Sequence, residues 1–386
     1  MYMHQRLSLV LLSFAVSGSA WAYPEYRVTV VGPATSWVYG INNAGVVVGS
    51  YPVGANLQRA FLNRGKGLVD LGVLKGVSSS AAGINDRGEV VGNWTRADGR
   101  RRGFIYACGK ARDIGAIPGQ VTSYTDINDA GYITASGRNP STDETRGYLR
   151  APDGSFTHLG AIPWDGSGAA MTVPAALNNR NQITGISGRF NAPEPGFRAF
   201  GWSKGVIRDL GDLGSTPNTG NAINDRGQIT GQANIFISPR DHVAFLYSHG
   251  RMINIDPRPA SEYRYSGGNG INNRGHIVGF SDFLSGFIWR GKRMESLNAL
   301  VNPALGWNID NPIAINDAGQ IAAIATRNGV RYSVRLDLIR PHVDAAPALD
   351  PQAAAEMLTF AASPALDAAL AKAEAQARET VHPVAQ

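Results

Sequence analysis

The nine residues Ile41-Asn42-Asn43-Ala44-Gly45-Val46-Val47-Val48-Gly49 return six more times, with drift, before residue 325. The later copies begin at Ile84, Ile127, Leu177, Ile223, Ile271 and Ile315. Their leading asparagines, with the first, are Asn42, Asn85, Asn128, Asn178, Asn224, Asn272 and Asn316, spaced 43 to 50 residues apart. A unit of that length cannot bury its apolar face alone, so copies must pack against one another in an array or a propeller.

Each copy alternates with a period of two. The residue before the Asn is always large and aliphatic, and the second residue after the turn position is Val47, Val90, Ile133, Ile183, Ile229, Ile277 or Ile321. The position between is Glu89, Tyr132, Gln182, Gln228, His276 or Gln320, with Val46 the exception. That pattern predicts a strand with one buried face. The intervening Asn-Asp/Asn-x-Gly fits a type I turn closed by a left-handed residue with a bulge. The leading Asn can bond its own backbone two residues on. In the fourth copy Asn181 replaces the glycine, and Asn is the residue other than glycine that most readily turns left-handed. All eight of these asparagines are therefore read as structural turn residues.

A calcium loop is the competing reading of the motif. Its second position is Asp in four copies (Asp86, Asp129, Asp225, Asp317) and Asn in three. A hard cation takes about six to eight oxygens, several of them carboxylates. No metal and no cofactor is expected.

Two further pieces recur in fixed order. A small residue precedes an aromatic in Ala60-Phe61, Gly103-Phe104, Gly147-Tyr148, Ala199-Phe200, Ala244-Phe245 and Gly286-Phe287, and degenerately in Ser333-Val334. These rings are expected to pack between neighbouring units, each contributing about 2–3 kcal/mol. A closing piece follows in Asp70-Leu71-Gly72, Asp113-Ile114-Gly115, His158-Leu159-Gly160, Asp209-Leu210-Gly211, Asn254-Ile255-Asp256 and Ser296-Leu297-Asn298. Its seventh copy lies before the first Asn motif, around Arg27–Gly32. The chain thus begins with the last piece of a unit and ends with the penultimate one, the offset that a closed ring needs. The fold expected is all-β: a seven-bladed β-propeller whose N-terminal strand closes the last blade, with a short α-helical C-terminal tail. An open β-solenoid is the other architecture.

Together the three pieces resemble the HAF-repeat family of bacterial exported proteins, named for a His/Arg-Ala-Phe core. Here that core reads Arg59-Ala60-Phe61 and Arg198-Ala199-Phe200. The resemblance covers about residues 26–337. It implies export and a repeat fold, and it carries over no catalytic residue.

Residues 1–22 read as a signal peptide: Arg6, an apolar run from Leu7 to Val16, and Ala20-Trp21-Ala22 as the small-x-small cleavage pattern. The apolar run is too short for a bilayer, which needs about 20 residues. Cleavage after Ala22 would leave a protein without a transmembrane segment, secreted or periplasmic. The repeat domain is assigned to 23–340 and an Ala-rich tail to 341–386. Asp350-Pro351 and Ser363-Pro364 are readable helix starts in that tail. The tail carries Lys372 and Arg378 against six acidic residues, so the excess positive charge of the chain lies on the repeats. A basic, exported body suits an acidic envelope component or an anionic glycan and, lacking basic runs interleaved with aromatics, not nucleic acid. The single cysteine, Cys108, cannot form an internal disulfide and is expected to be a buried thiol.

With the turns on one face, the longer loops face the other, where function usually resides. The inter-unit loops carry Trp37, Tyr124, Trp164, Tyr263, Tyr265 and Trp307. Arg96, Arg100, Arg101, Arg138, Arg189, Arg240 and Arg264 are expected on the same face. Aromatic platforms beside arginine suit a sugar ring. Nucleophile-elbow, P-loop and zinc-protease motifs are missing, so no catalytic residue is assigned. The reading is a monomeric, non-enzymatic scaffold that binds an envelope or extracellular ligand such as a glycan. The alternative is a propeller-fold glycan lyase or hydrolase, for which Asp282 and Glu262 are a carboxylate pair to test.

Overall fold

The structure, a computed structural model, describes residues 25–163, 169–190, 196–235, 241–259, 262 and 264–340. The signal peptide, Trp164, Arg240, Tyr263 and the expected tail helices lie outside the described residues. No helix among those described is long and apolar enough to cross a membrane.

Among the described residues the fold is all-β, with five four-stranded sheets and one eight-stranded sheet. In the first repeat the strands Trp37–Ile41, Val47–Gly54, Leu57–Asn63 and Leu68–Asp70 pair antiparallel in chain order. The other repeats follow the same plan. The eight-stranded sheet is two such units joined by one parallel pairing, Thr145 with Met171. The strand Tyr26–Ala34 pairs with Val330–Leu338 at the edge of the last sheet, so the first and last described strands share one unit, as the offset requires.

The alternation read from the sequence places its apolar positions in the core. Val47, Val90, Ile133, Ile183, Ile277 and Ile321 are completely buried, and Ile229 nearly so. The aromatics of the second piece pack against the preceding unit: Phe61 against Ala322 and Ile324, Phe104 against Ala60 and Leu62, Phe245 against Ala199 and Leu210. Close approach of these rings explains the last glycine of the motif. A Cβ on Gly92 would lie 2.5 Å from the Phe104 ring and 2.3 Å from the Ser80 carbonyl oxygen.

The turn has the expected form. Gly45 N–H donates to the Asn42 carbonyl at 2.9 Å, and Asn42 N–H to the Val46 carbonyl at 3.1 Å. The closing residue is left-handed throughout, with φ of 72° at Gly45, 78° at Gly88 and 56° at Asn181. The Asn side chain accepts from the N–H four residues on, as in Val46 to Asn42 Oδ1 at 2.9 Å. The bond to the residue two on, predicted for every copy, is made by Asn178, Asn224 and Asn272.

Each Asn also reaches its neighbour. Asn42 Nδ2 donates to the Asn85 carbonyl at 3.0 Å, and the same bond runs on through Asn128, Asn178, Asn224, Asn272 and Asn316, which donates back to Asn42 at 3.0 Å. A second circuit lies beside it. The N–H of Asn43 donates to Asp86 Oδ1 at 2.7 Å, and equivalent bonds connect Asp86, Asp129, Asn179, Asp225, Asn273 and Asp317, the last returning to Asn43 at 2.9 Å. Buried hydroxyls tie the units further out. Ser79 Oγ accepts the Ala60 N–H and Ser266 Oγ the Ala244 N–H, each at 3.0 Å and from the preceding unit.

Cys108 departs from expectation. It is exposed, not buried, because it occupies the two-residue turn Cys108-Gly109, where φ is 50° and 79°. Lys204-Gly205 and His249-Gly250 are equivalent turns with both residues left-handed.

Gly88 separates backbone strain from packing, since a Cβ there meets nothing within 4 Å. Gly88→Val should cost about 1–2 kcal/mol through the left-handed backbone alone. Asn181→Gly, which relieves that strain and gives up the 2.7 Å bond from Asn128 Nδ2, should leave stability within about 1 kcal/mol. Urea denaturation of the two variants against wild type checks both; equal costs would refute the turn assignment.

Candidate functional site

The innermost strand of every unit lines one axial cavity of about 370 Å³, entered past the Asn turns. That volume falls within the roughly 300–1,000 Å³ of ligand pockets. The mouth is the ring Asn43, Asp86, Asp129, Asn179, Asp225, Asn273 and Asp317. Aspartate alternates with asparagine as far as an odd number allows, so each amide can sit between carboxylates. Asn273 Nδ2 donates to Asp225 at 3.1 Å and Asp317 at 3.0 Å, and Asn43 Nδ2 to Asp86 at 2.8 Å. Among the described residues no group of three or more His, Cys, Asp or Glu could hold a metal. The ring carboxylates serve as acceptors for the backbone.

Deeper in, the wall is small. Two residues before each Asn the chain has Gly40, Gly83, Ala176, Ala222, Gly270 and Ala314, but Asp126 in the third unit. Asp126 Oδ1 accepts from its neighbour Ile127 N–H and Oδ2 from Leu177 N–H of the next unit, both at 2.9 Å. Burial pushes its carboxyl up to about 6 against these two hydrogen bonds, and no cationic side chain among the described residues lines the cavity. One residue earlier, Tyr39, Asn221 and Asn269 stand where other units have Ala, Thr or Ile. Sequence reading missed this cavity. Its signal was available in the Asp126 substitution once the seven copies are laid side by side.

The aromatic residues assigned to the opposite face divide. Trp37 is 37% exposed, with the Arg331 guanidinium 3.9 Å above its ring. Trp307 has Arg327 at 5.3 Å and Tyr332 edge-on at 5.7 Å. Both arginines lie on the hairpin between Ile321–Arg327 and Val330–Leu338, but the register turns them to its opposite faces, so the two tryptophans stand on either side of it. Tyr265 is exposed elsewhere on the ring, beside His242 and Phe280. Burial holds the His242 ring below its usual range, with Asp241 opposing.

Tyr124 is not a loop aromatic. It is 1% exposed within the strand Val121–Ile127, packed among Ile117, Ile127 and Ile133. Gly103 makes the room, since a Cβ there would come within 2.2 Å of the ring. The strand begins at Val121, within the stretch read as an inter-unit loop, and Tyr124 takes the core position that Val38 holds in the first unit.

Several of the loop arginines are paired. Arg96 and Arg100 flank Asp98, Arg138 pairs with Asp143, and Arg264 is buried and donates to the Arg258 carbonyl. Asp282 accepts from Arg258 at 2.8 Å and from Tyr265 N–H, and Asp256 from Arg258 at 2.8 Å.

No family model matches the chain. No curated protein matches it either. Solved structures do. The complex of YCF48 bound to D1 peptide has a TM-score of 0.50 at 12% identity, over 84% of this chain and 98% of that one. Pyrococcus horikoshii acylaminoacyl peptidase also reaches 0.50, at 10% identity, over 77% of this chain and 52% of that one. Virginiamycin B lyase from Staphylococcus aureus scores 0.47 at 13% identity, over 81% and 99%. At these identities the likeness is one of fold alone, and the fold is propeller-like.

The raised carboxyl of Asp126 makes a signed prediction. Its folded value of about 6 exceeds the ordinary 3.8, so its contribution is full below about 3.8 and is lost as pH rises to about 6. Asp126→Ala should therefore gain on wild type by at most about 3 kcal/mol between pH 4 and pH 7. Urea unfolding of both proteins at the two pH values measures the difference, and a gap independent of pH would contradict the assignment.

Proposed function

We propose that this chain is an exported seven-bladed β-propeller of the HAF-repeat type that works by binding rather than catalysis. The ligand is an envelope or extracellular glycan, or another acidic envelope component. It would be engaged by the loop face opposite the Asn turns, by a monomer in the periplasm or outside the cell. The blade count rests on seven leading asparagines whose hydrogen bonds return to the first. The export reading rests on the pattern of residues 1–22.

The observation that carries the binding reading is that Trp37 and Trp307, on either side of one hairpin, each present a ring with an arginine over it. A tryptophan face offers stacking area to a sugar ring, and the adjacent guanidinium supplies donors to its hydroxyl or carboxylate groups. Tyr265 extends the same chemistry further around the ring.

Full-length mature protein, screened against cell-envelope fractions and a glycan array, should bind at least one anionic or neutral glycan. Trp37→Ala and Trp307→Ala should each weaken that binding about tenfold or more, with the melting temperature held as a control. Binding unchanged in both variants would discard this face. Turnover of a bound glycan would replace the scaffold reading with the lyase or hydrolase.

A further inference from the structure

In a sevenfold repeat, what all copies share at a position is what the fold requires there. A residue that breaks the pattern in one unit, at some cost and facing a cavity, calls for a separate reason. Asp126 is such a residue. Six units make the same wall from Gly or Ala, so the fold does not need a carboxylate there. Placing one in the wall takes a charge away from water without a cationic partner.

The other pattern-breaking side chains of the wall point to the missing partner. Asn221 Nδ2 donates to the Gly268 carbonyl at 2.9 Å, and Asn269 Nδ2 to Asn311 Oδ1 and the Pro312 carbonyl, both at 2.8 Å. Both N–H donors of Asn269 and one of Asn221 are used, and each residue adds a side-chain carbonyl oxygen to the wall as an acceptor. Tyr39 adds a ring 40% exposed. The wall therefore offers acceptors, a π face and one carboxylate, and among the described residues no cationic group. Anions are excluded from it; a donor-rich cation is suited to it.

We propose that the axial cavity binds the ammonium group of a small organic amine, with Asp126 as its counter-ion. The mouth carboxylates are engaged with the backbone ring and act only as a long-range attraction for positive charge. Besides Asp126, the ionisable groups facing the cavity are Tyr39 and the mouth aspartates Asp86, Asp129, Asp225 and Asp317. Burial raises the Asp126 carboxyl toward neutrality. An ammonium ion beside it favours the ionised form, so binding should release a proton between about pH 5 and 6. This site is distinct from the tryptophan face, and neither assignment depends on the other.

Calorimetric titration of the full-length mature protein with cadaverine at low ionic strength tests the proposal, with sorbitol as the neutral probe of similar size. Cadaverine should bind and sorbitol should not. Affinity should fall about tenfold per pH unit below the Asp126 midpoint, and the heat at pH 5.5 should vary with buffer ionisation enthalpy. Asp126→Ala, the residue that three other units carry in this wall, should fold and should lose about tenfold or more in affinity. It should also lose the proton release. Asn221→Ala should weaken binding without altering its pH dependence. Nα-acetyllysine amide, run alongside, separates a peptide-borne from a free amine, and binding of either that depends on Asp126 supports the site. Absence of binding to wild type, equal binding of sorbitol, or undiminished cadaverine binding by a folded Asp126→Ala protein would each overturn it.

Discussion

Seven buried asparagine side chains hold this molecule together. Each is only 3–4% exposed, so every polar atom on it must find a partner within the protein. Oδ1 accepts from the unit's own turn, while Nδ2 crosses to the next unit's backbone. One residue thereby shapes a hairpin and registers two hairpins against each other. The circuit also bears on closure. A buried amide left without a partner costs about 1–3 kcal/mol, and an open stack would leave Asn316 in that position. The observed bond from Asn316 to Asn42 removes the orphan. The strand Tyr26–Ala34 completes the last sheet at the same junction.

With the architecture held by backbone and buried amides, other positions are free to differ among units. The wall of the axial cavity and the loops of the opposite face are where they do. Asp126, Tyr39, Asn221 and Asn269 interrupt a wall otherwise of small or aliphatic residues. Trp37 and Trp307 interrupt nothing in the core. Chemistry in a repeat protein is best sought where a unit departs from its siblings without disturbing the bonds they share.

Much of the scaffold was legible in the chain. Period-two alternation located Val47 and its counterparts in the core, since a strand must turn alternate side chains to opposite sides. Asn181 in a glycine position identified the left-handed residue, because few side chains tolerate that backbone. Local rules failed where the neighbour decides. Tyr124 reads as a loop aromatic until the shape of Gly103, one unit earlier, gives its ring a socket. Cys108 reads as a buried thiol until hairpin geometry puts it in a two-residue turn. The turn asparagines were recognised for their local bonds, but half their role lies across a boundary about 45 residues away.

The sequence by itself determined the unit, its strands, its turn and the offset between its ends, because these follow from side-chain periodicity and backbone preference within a few residues. Only the tertiary structure decided which atoms meet: the two hydrogen-bonded circuits, the socket for Tyr124, the carboxylate of Asp126 in the axial wall, and the arginines of one hairpin laid over Trp37 on one side and Trp307 on the other. Those depend on the angle and distance at which one unit packs on the next. That packing is set by the summed fit of buried rings such as Phe61 and Phe104 against their neighbours, a property of the assembled ring that no single unit encodes.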